Sequence, residues 1–198
     1  MSRDMQPLFW RINEQGHQGM DAVSLLMPTN NTDNSALELP TNVHMHASEQ
    51  TSYPIDLRWS SEDQELFMSL LERIVGQELE GNIELDLTDE KVWNLIQLVA
   101  LSRFKTPVPV DEMLADDFIC QREELSVGDM VAINTRYGYP LAVVIGLDSF
   151  DVSCVLLDEL VHQEQVQLLK YSLLKVNRMS ALPAEFADSI SSDDAVLH

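Results

Sequence analysis

The chain has few cysteines and no long apolar run, whereas such features are typical of many secreted, redox and membrane proteins. Its 198 residues include only two cysteines, Cys120 and Cys154, which form no CxxC pair, so the spacing excludes a disulfide framework and a cysteine zinc site. No apolar run approaches the ~20 residues that a helix needs to cross a bilayer. The N-terminus lacks the basic and then apolar pattern of a signal peptide. We therefore expect two buried thiols in a reducing, cytoplasmic compartment.

Basic side chains are also scarce. The chain has 12 Lys and Arg against 33 Asp and Glu, which gives a net charge of −21. Residues 61–125 hold 16 acids and 5 bases, whereas residues 126–180 hold 6 acids and 4 bases. A field of this sign repels nucleic acid and anionic membranes and attracts basic proteins. Direct nucleic-acid binding is disfavoured, since the cations that neutralise phosphates are missing.

Motifs that name a reaction or a cofactor are absent. The sequence contains no GxGxxG, GxxxxGK[ST], HExxH or GxSxG pattern. Cys120 and Cys154 lie in apolar runs, where a thiol is usually inert packing. His162 follows an apolar Leu-Val pair and is interpreted as a residue at the rim of a barrel. Adjacent acids such as Asp158 and Glu159 are typical of a solvated face. The expectation is a protein without enzymatic activity and without a cofactor.

One segment has the residue types of a metal site. His44 and His46 share a face of an extended stretch, where they can chelate a metal if His17 or an acid joins them. They sit in a polar loop with no partner at fixed spacing. The sequence therefore favours a pair of solvated imidazoles over a metal centre.

The first half of the chain divides into two parts. Residues 1–55, rich in Asn, Thr and Ser, predict a loop-rich arm with two short apolar packing segments. Residues 56–124 predict a mainly helical, acidic region. Its expected elements are a helix from Ser60 or Ser61 to Gly76, a strand over 82–87, a helix from Thr88 to about Arg103 and a short helix over 110–114. Five acids on this region are candidate contacts for a basic partner: Glu62, Glu65, Glu72, Asp89 and Glu90.

Residues 125–180 change in character. Short apolar runs separated by Gly, Asp and Asn turns predict an antiparallel meander. The segment Gly128-Asp129-Met130-Val131, followed by Leu141–Ile145, resembles the SH3-like small barrels of the Tudor and KOW types over about 55 residues. The resemblance implies an interaction module of about five strands. A Tudor-type site needs an aromatic cage around a methylated cation.

Four aromatic residues of this region are the candidate partner contacts: Tyr137, Tyr139, Phe150 and Tyr171. A KOW-type nucleic-acid site would need more positive charge than the region supplies through Arg136, Lys170, Lys175 and Arg178.

Together these observations predict an α+β fold, with a helical middle region, a small C-terminal SH3-like antiparallel β-barrel and an acidic tail over 181–198. The expected core is Leu66, Phe67, Leu70, Ile74, Trp93, Ile96, Val131, Ile133, Val143, Ile145, Val155 and Leu157. Three functions stay open. They are a non-catalytic adaptor or regulator that binds another protein, an acidic mimic of nucleic acid that blocks a basic groove, and a subunit that docks into a larger assembly through residues 1–55.

Overall fold

The computed structural model describes residues 7–14, 20–27, 36–46, 53–76, 89–116 and 124–188. The chain forms two compact units, residues 1–105 and residues 106–198. The first unit contains β1 (Phe9–Asn13), β2 (Met20–Met27), β3 (Leu37–His46), β4 (Ile55–Arg58), α1 (Ser61–Leu70) and α2 (Glu90–Phe104). The second contains β5 (Val108–Pro109), β6 (Met130–Ile133), β7 (Leu141–Leu147), β8 (Asp151–Leu156), β9 (Leu160–His162), β10 (Gln165–Leu168), β11 (Leu173–Asn177), β12 (Ala181–Pro183) and α3 (Glu185–Asp188).

The first unit is built on an antiparallel sheet in the order β3-β2-β1-β4. Residues 9–46, predicted as part of a loop-rich arm, instead supply three of its strands. Strand β2 is the centre of the unit, since its six middle residues are all buried. Strand β2 pairs with β1 on one side and β3 on the other, so its backbone N–H and C=O groups are hydrogen-bonded. The polar residues before and after this segment favour a loop instead. The apolar segments of the arm are therefore core strands.

The two expected helices form where the sequence predicts them. The Ser60 hydroxyl accepts from the Asp63 N–H and the Asp63 carboxylate accepts from the Ser60 N–H, a capping box that begins α1. A π-helical turn over Leu71–Val75 continues α1 to Gly76, whose φ of 67° ends it in the left-handed region. Asp89 caps α2. Thr88 and the strand expected over 82–87 lie outside the described residues.

Aromatic rings hold the helices to the sheet of the first unit. The Trp10 ring on β1 stacks on Trp59 at 5.0 Å and meets the edge of Phe104 from α2 at 5.8 Å. Phe67 of α1 packs edge-on against Trp59 at 5.6 Å. The Trp10 Nε1–H donates to the Asp63 carboxylate at 3.3 Å, so one buried acid caps a helix and satisfies a core indole. This cluster is the centre of the core of the first unit.

The closed barrel predicted for residues 126–180 is wrong. Strands β6, β7, β8 and β11 form a sheet in the order β12-β6-β7-β8-β11-β5, with β5 parallel and the other pairs antiparallel. Closure would need the outer edges of β6 and β11 to meet. Those edges pair instead with β12 and β5, both from outside the predicted barrel, so the sheet stays open. The described residues are mostly β, in three sheets, rather than a helical region followed by a barrel.

The expected core is confirmed at eight of twelve positions. Phe67, Leu70, Ile96, Val131, Ile133, Val143, Ile145 and Val155 are buried. Leu66, Trp93 and Leu157 are only partly buried. Ile74 is exposed on the π-helical turn, whose i→i+5 bonding departs from the 3.6-residue period on which the prediction rests. The segment over 110–114 forms a short 3₁₀ turn over Asp111–Met113. Of the predicted acidic tail, residues 181–188 form β12 and α3.

Candidate protein-docking surface

The four candidate aromatic residues lie at separate places in the second unit. Tyr137, in the β6–β7 turn, places its ring 4.7 Å from His162. Tyr139 is partly buried, with its ring 6.1 Å from Phe186. Phe150 is 78% exposed in the β7–β8 turn. Tyr171 is 50% exposed in the turn after β10, and the Lys170 ammonium lies 5.2 Å from the centre of its ring. No ring contact joins any two of these four described residues, so they do not build a cage.

The candidate acids lie on the helices of the first unit. Glu62, Glu65 and Glu72 are exposed on α1 and its π-helical turn, and Glu90 is exposed in the first turn of α2. Asp89 caps α2, since its carboxylate accepts a hydrogen bond from the Lys91 N–H at 2.9 Å. Four of the five carboxylates therefore face water.

The charge of Glu62 is stabilised by its surroundings. Hydrogen bonds from its own backbone N–H and from the Ser60 hydroxyl, helped by the charge of Arg103, lower the pKa of Glu62 below its ordinary value. Arg103 is in the last turn of α2, and α2 contacts both α1 and its π-helical turn. The five acids thus belong to one pair of packed helices.

His44 and His46 lie on β3, where they share one face of the strand. His44 is opposite Ala22, and His46 is opposite Met20 at the end of the ladder. Among the described residues, no group of three His, Cys, Asp or Glu side chains is placed to hold a metal ion. His17 lies outside the described residues. The pair offers two nitrogens, whereas a protein metal site normally takes three or four ligands.

Cys154 is an inert core thiol. It lies on β8 with no exposed surface, and burial raises its pKa to about 12. A thiol in that state holds almost no nucleophilic thiolate at neutral pH. The expectation of a buried thiol is confirmed for Cys154, and Cys120 lies outside the described residues.

A polar cleft of about 480 Å³ opens between the β6–β7 turn and the end of the 3₁₀ turn region. Its charged groups bond to each other. Arg136 donates through Nε to the Leu114 carbonyl at 3.0 Å and through a terminal nitrogen to Asp116 at 3.2 Å. The Thr135 hydroxyl donates to the Gly138 carbonyl at 2.7 Å. The cleft thus fixes its own walls and presents no nucleophile paired with a base.

The hairpin of β9 and β10, which forms a two-stranded sheet of its own, is not predicted by the sequence pattern. Gln163 and Glu164 connect the strands with φ of 50° and 62°, the backbone of a type I′ turn. Such turns are usually signalled by Asn-Gly or Asp-Gly, and Gln-Glu carries no such signal. The alternation of Leu160, Val161 and His162 is too short to identify a strand by itself.

The hairpin exposes apolar side chains on its outer face. Leu160 is buried and Leu168 packs on the core of the second unit, so these two define the inner face. Val161 and Val166 are directly opposite each other on the outer face, and each is 49% exposed. Leu169 and Tyr171 follow, both exposed. The segment therefore presents four large apolar side chains within eleven residues.

No protein-family model matches the chain, and no curated protein is significantly similar to it. Within the described residues, no helix combines the length and the apolar character that a membrane span requires.

Proposed function

We propose that this chain is a non-catalytic adaptor or regulator that binds another protein through its second unit. The distribution of exposed apolar side chains carries the proposal. Of the ten large apolar side chains exposed in the described residues, eight lie in the second unit and two in the first. Scattered exposed apolar residues are ordinary, but a group on one element favours a protein interface. The hairpin carries such a group.

The state of the reactive groups supports a non-catalytic role. The Cys154 thiol stays protonated, the acids of the helices are solvated or used in caps, and the Thr135 and Arg136 side chains that line the polar cleft are hydrogen-bonded within the unit. Acid–base catalysis would need two carboxylates in contrasting environments facing one cleft. The unpaired, buried Cys154 also supports our proposal that the protein works in the reducing cytoplasm.

The direct test is affinity capture from the lysate of the native host, eluted in salt steps and identified by mass spectrometry. An interface with an apolar centre keeps its partner at 0.5 M NaCl, since salt screens charges but not apolar contacts. We expect a defined partner that elutes only above that concentration. A capture that retains nothing at high salt would contradict the proposal.

A second candidate function is an acidic mimic of nucleic acid. Its support is the net charge of −21 together with the solvent-facing acids of the helices, notably Glu65 on α1 and Glu72 on the π-helical turn that follows it. A mimic would compete with DNA or RNA for a basic partner, and its binding would weaken steeply with salt. A partner that binds DNA and this protein at the same time would exclude it.

Docking into an assembly through residues 1–55 loses its main support. In the first apolar segment of that region, Leu8 and Trp10 are buried in the first unit and Phe9 is partly buried. The Leu8 carbonyl also accepts from the Trp59 N–H at 3.0 Å, which ties the start of β1 to the unit. A role as a subunit of a larger assembly would therefore need a surface other than Leu8 and Trp10.

A further inference from the structure

The hairpin of β9 and β10 differs from an ordinary surface hairpin in its outer face. Leu160 and Leu168 already supply the contact with the core, so packing among the described residues of the unit does not require apolar side chains at Val161 and Val166. Antiparallel strands that pack one face usually place polar side chains on the other. The strands β9 and β10 pair only with each other among the described residues, which leaves two outer edges open.

Backbone strain is concentrated in the same segment. The described residues other than glycine with positive φ are Gln163, Glu164 and Tyr171. Tyr171 has a φ of 65° at the third position of a turn that the Ser172 N–H closes onto the Leu169 carbonyl at 3.1 Å. Glycine or asparagine is the residue that such a position favours. Because half of the Tyr171 side chain is exposed, its packing in the unit offsets the strain only in part.

The charges around the hairpin indicate the chemistry of its partner. Asp158, Glu159 and Glu164 are exposed on or beside it. Lys170 is the one Lys or Arg between residues 157 and 172, and its ammonium lies over the Tyr171 ring. An apolar centre with an acidic border complements an apolar segment with basic flanks. It disfavours a second copy of this chain, which carries the same acidic border.

We propose that the β9–β10 hairpin docks an extended segment of a partner protein that has an apolar centre and Lys or Arg on both sides. The segment adds to the open edge of the hairpin as a third strand. Its apolar side chains cover Val161, Val166 and the Tyr171 ring, and its cations face Asp158, Glu159 and Glu164. This inference rests on the proposed function, to which it adds the site and the class of partner.

A peptide titration of the full chain tests the docking site. The probe is the acetylated and amidated peptide Lys-Lys-Thr-Val-Thr-Val-Thr-Lys-Lys, added to ¹⁵N-labelled protein up to 1 mM. We expect saturable shifts of the backbone amides of residues 158–172. The double variant V161T/V166T, which keeps β-branched residues in the strands, should weaken binding about tenfold. The matched control V108T changes an exposed valine of β5 and should leave the affinity unchanged.

Two control peptides separate the apolar and the charged contributions. Replacing the flanking lysines by glutamate should abolish the shifts, since like charges then face the acidic border. Replacing the two valines by serine should weaken binding about tenfold, as in V161T/V166T. Equal binding of all three peptides would overturn the proposed recognition.

Tyr171 gives a readout that a merely structural role would not produce. Y171G should raise the unfolding temperature by about 2–5 °C, since it relieves a left-handed tyrosine. The same substitution should weaken binding of the lysine peptide severalfold, since the ring is lost from the surface. Unchanged affinity in Y171G would remove Tyr171 from the site and contradict the functional reading of the strain.

The other possible results of the titration and of the capture each overturn one part of the proposal. Shifts confined to residues 61–75 and 89–104 would place the basic peptide on the helices and overturn the hairpin site. Hairpin shifts that follow protein concentration alone would show a second copy there instead. The absence of any hairpin shift up to 1 mM peptide would also overturn the inference.

The capture experiment separates the docking site from the proposed function. A captured partner that binds V161T/V166T as tightly as wild type would leave the proposed function standing without this site. An empty capture would instead contradict the function itself.

Discussion

The two units cover their sheets in different ways. In the first unit the outer side of β1 carries Arg11, which donates to Asp56 at 2.7 and 2.8 Å and to Glu38 at 3.3 Å. Asn13 donates to the other oxygen of Glu38 at 2.6 Å, so side chains of β4, β1 and β3 share one polar network that reaches across β2. Arg11 is opposite Ser24 in the register, and the network covers the central strand. Among the described residues of the second unit, no such network covers Val161 and Val166, each of which is 49% exposed.

The contrast extends to the aromatic residues. All three tryptophans of the chain belong to the first unit, where Trp10 and Trp59 are buried. In the second unit Tyr137, Phe150 and Tyr171 are exposed. Aromatic residues that stabilise a core and those that face solvent are thus divided between the units. Tryptophan fluorescence reports on the first unit, while the buried Cys154 thiol reports on the second.

The largest expected effect concerns Cys154. With its pKa raised to about 12, the thiol should react with iodoacetamide about 10³-fold more slowly at pH 8 than an ordinary cysteine, because its thiolate fraction falls with each pKa unit. The measurement uses a C120S variant, so that one thiol is followed by mass spectrometry. Rapid labelling of the native protein would show that the second unit opens readily and that its core is not as described.

Trp10→Ala should destabilise the first unit by about 3–5 kcal/mol, since the ring is fully buried between Trp59 and Phe104. Urea unfolding followed by tryptophan fluorescence measures the loss. W93A, which removes a partly buried ring from the same unit, is the matched control and should cost less than half as much. If W10A also exposes Cys154 to labelling, the two units do not unfold separately.

Q163N/E164G should stabilise the second unit by about 0.5–1 kcal/mol, since asparagine and glycine accept the positive φ of this turn at lower cost. The protection of Cys154 in urea measures the gain, and the fluorescence transition of the first unit should not move. Destabilisation would mean that Gln163 and Glu164 make contacts worth more than the strain they carry.

Some of the structural features behind these predictions can be predicted from the sequence, and others cannot. The limits of α1 are local, set by Ser60, Asp63 and Gly76, and local capping chemistry predicts them. Whether the second sheet closes depends on distant pairing, with β12 beside β6 and β5 beside β11, and short-range alternation carries no information about that. The sequence does not predict the hairpin because Gln163 and Glu164 occupy turn positions where Asn or Gly is usual.

The smallest expected effect is a dependence on pH in the first unit. The hydrogen bonds from Arg11 lower the pKa of Asp56, so this carboxylate stabilises the fold above its unfolded pKa and stops doing so as the pH falls through the lowered value. Because the side chain is two-fifths exposed, solvent screening limits the contribution to about 0.5 kcal/mol. D56N should therefore cost about that much at pH 7, and progressively less as the pH falls below the ordinary pKa of aspartate and the wild-type carboxylate takes up its proton. A cost that stays constant as the pH falls would assign the effect to packing.

The central claim is that the second unit binds a partner protein through its uncovered hairpin while the acids of the first unit remain solvated. It is tested most directly by the affinity of the captured partner for wild type, V161T/V166T and E65Q/E72Q at 50 and 500 mM NaCl. We predict about tenfold weaker binding of V161T/V166T at both salt concentrations, and at most a small loss for E65Q/E72Q that vanishes at 500 mM. Full affinity of V161T/V166T together with a large, salt-sensitive loss in E65Q/E72Q would contradict the claim and favour the acidic mimic.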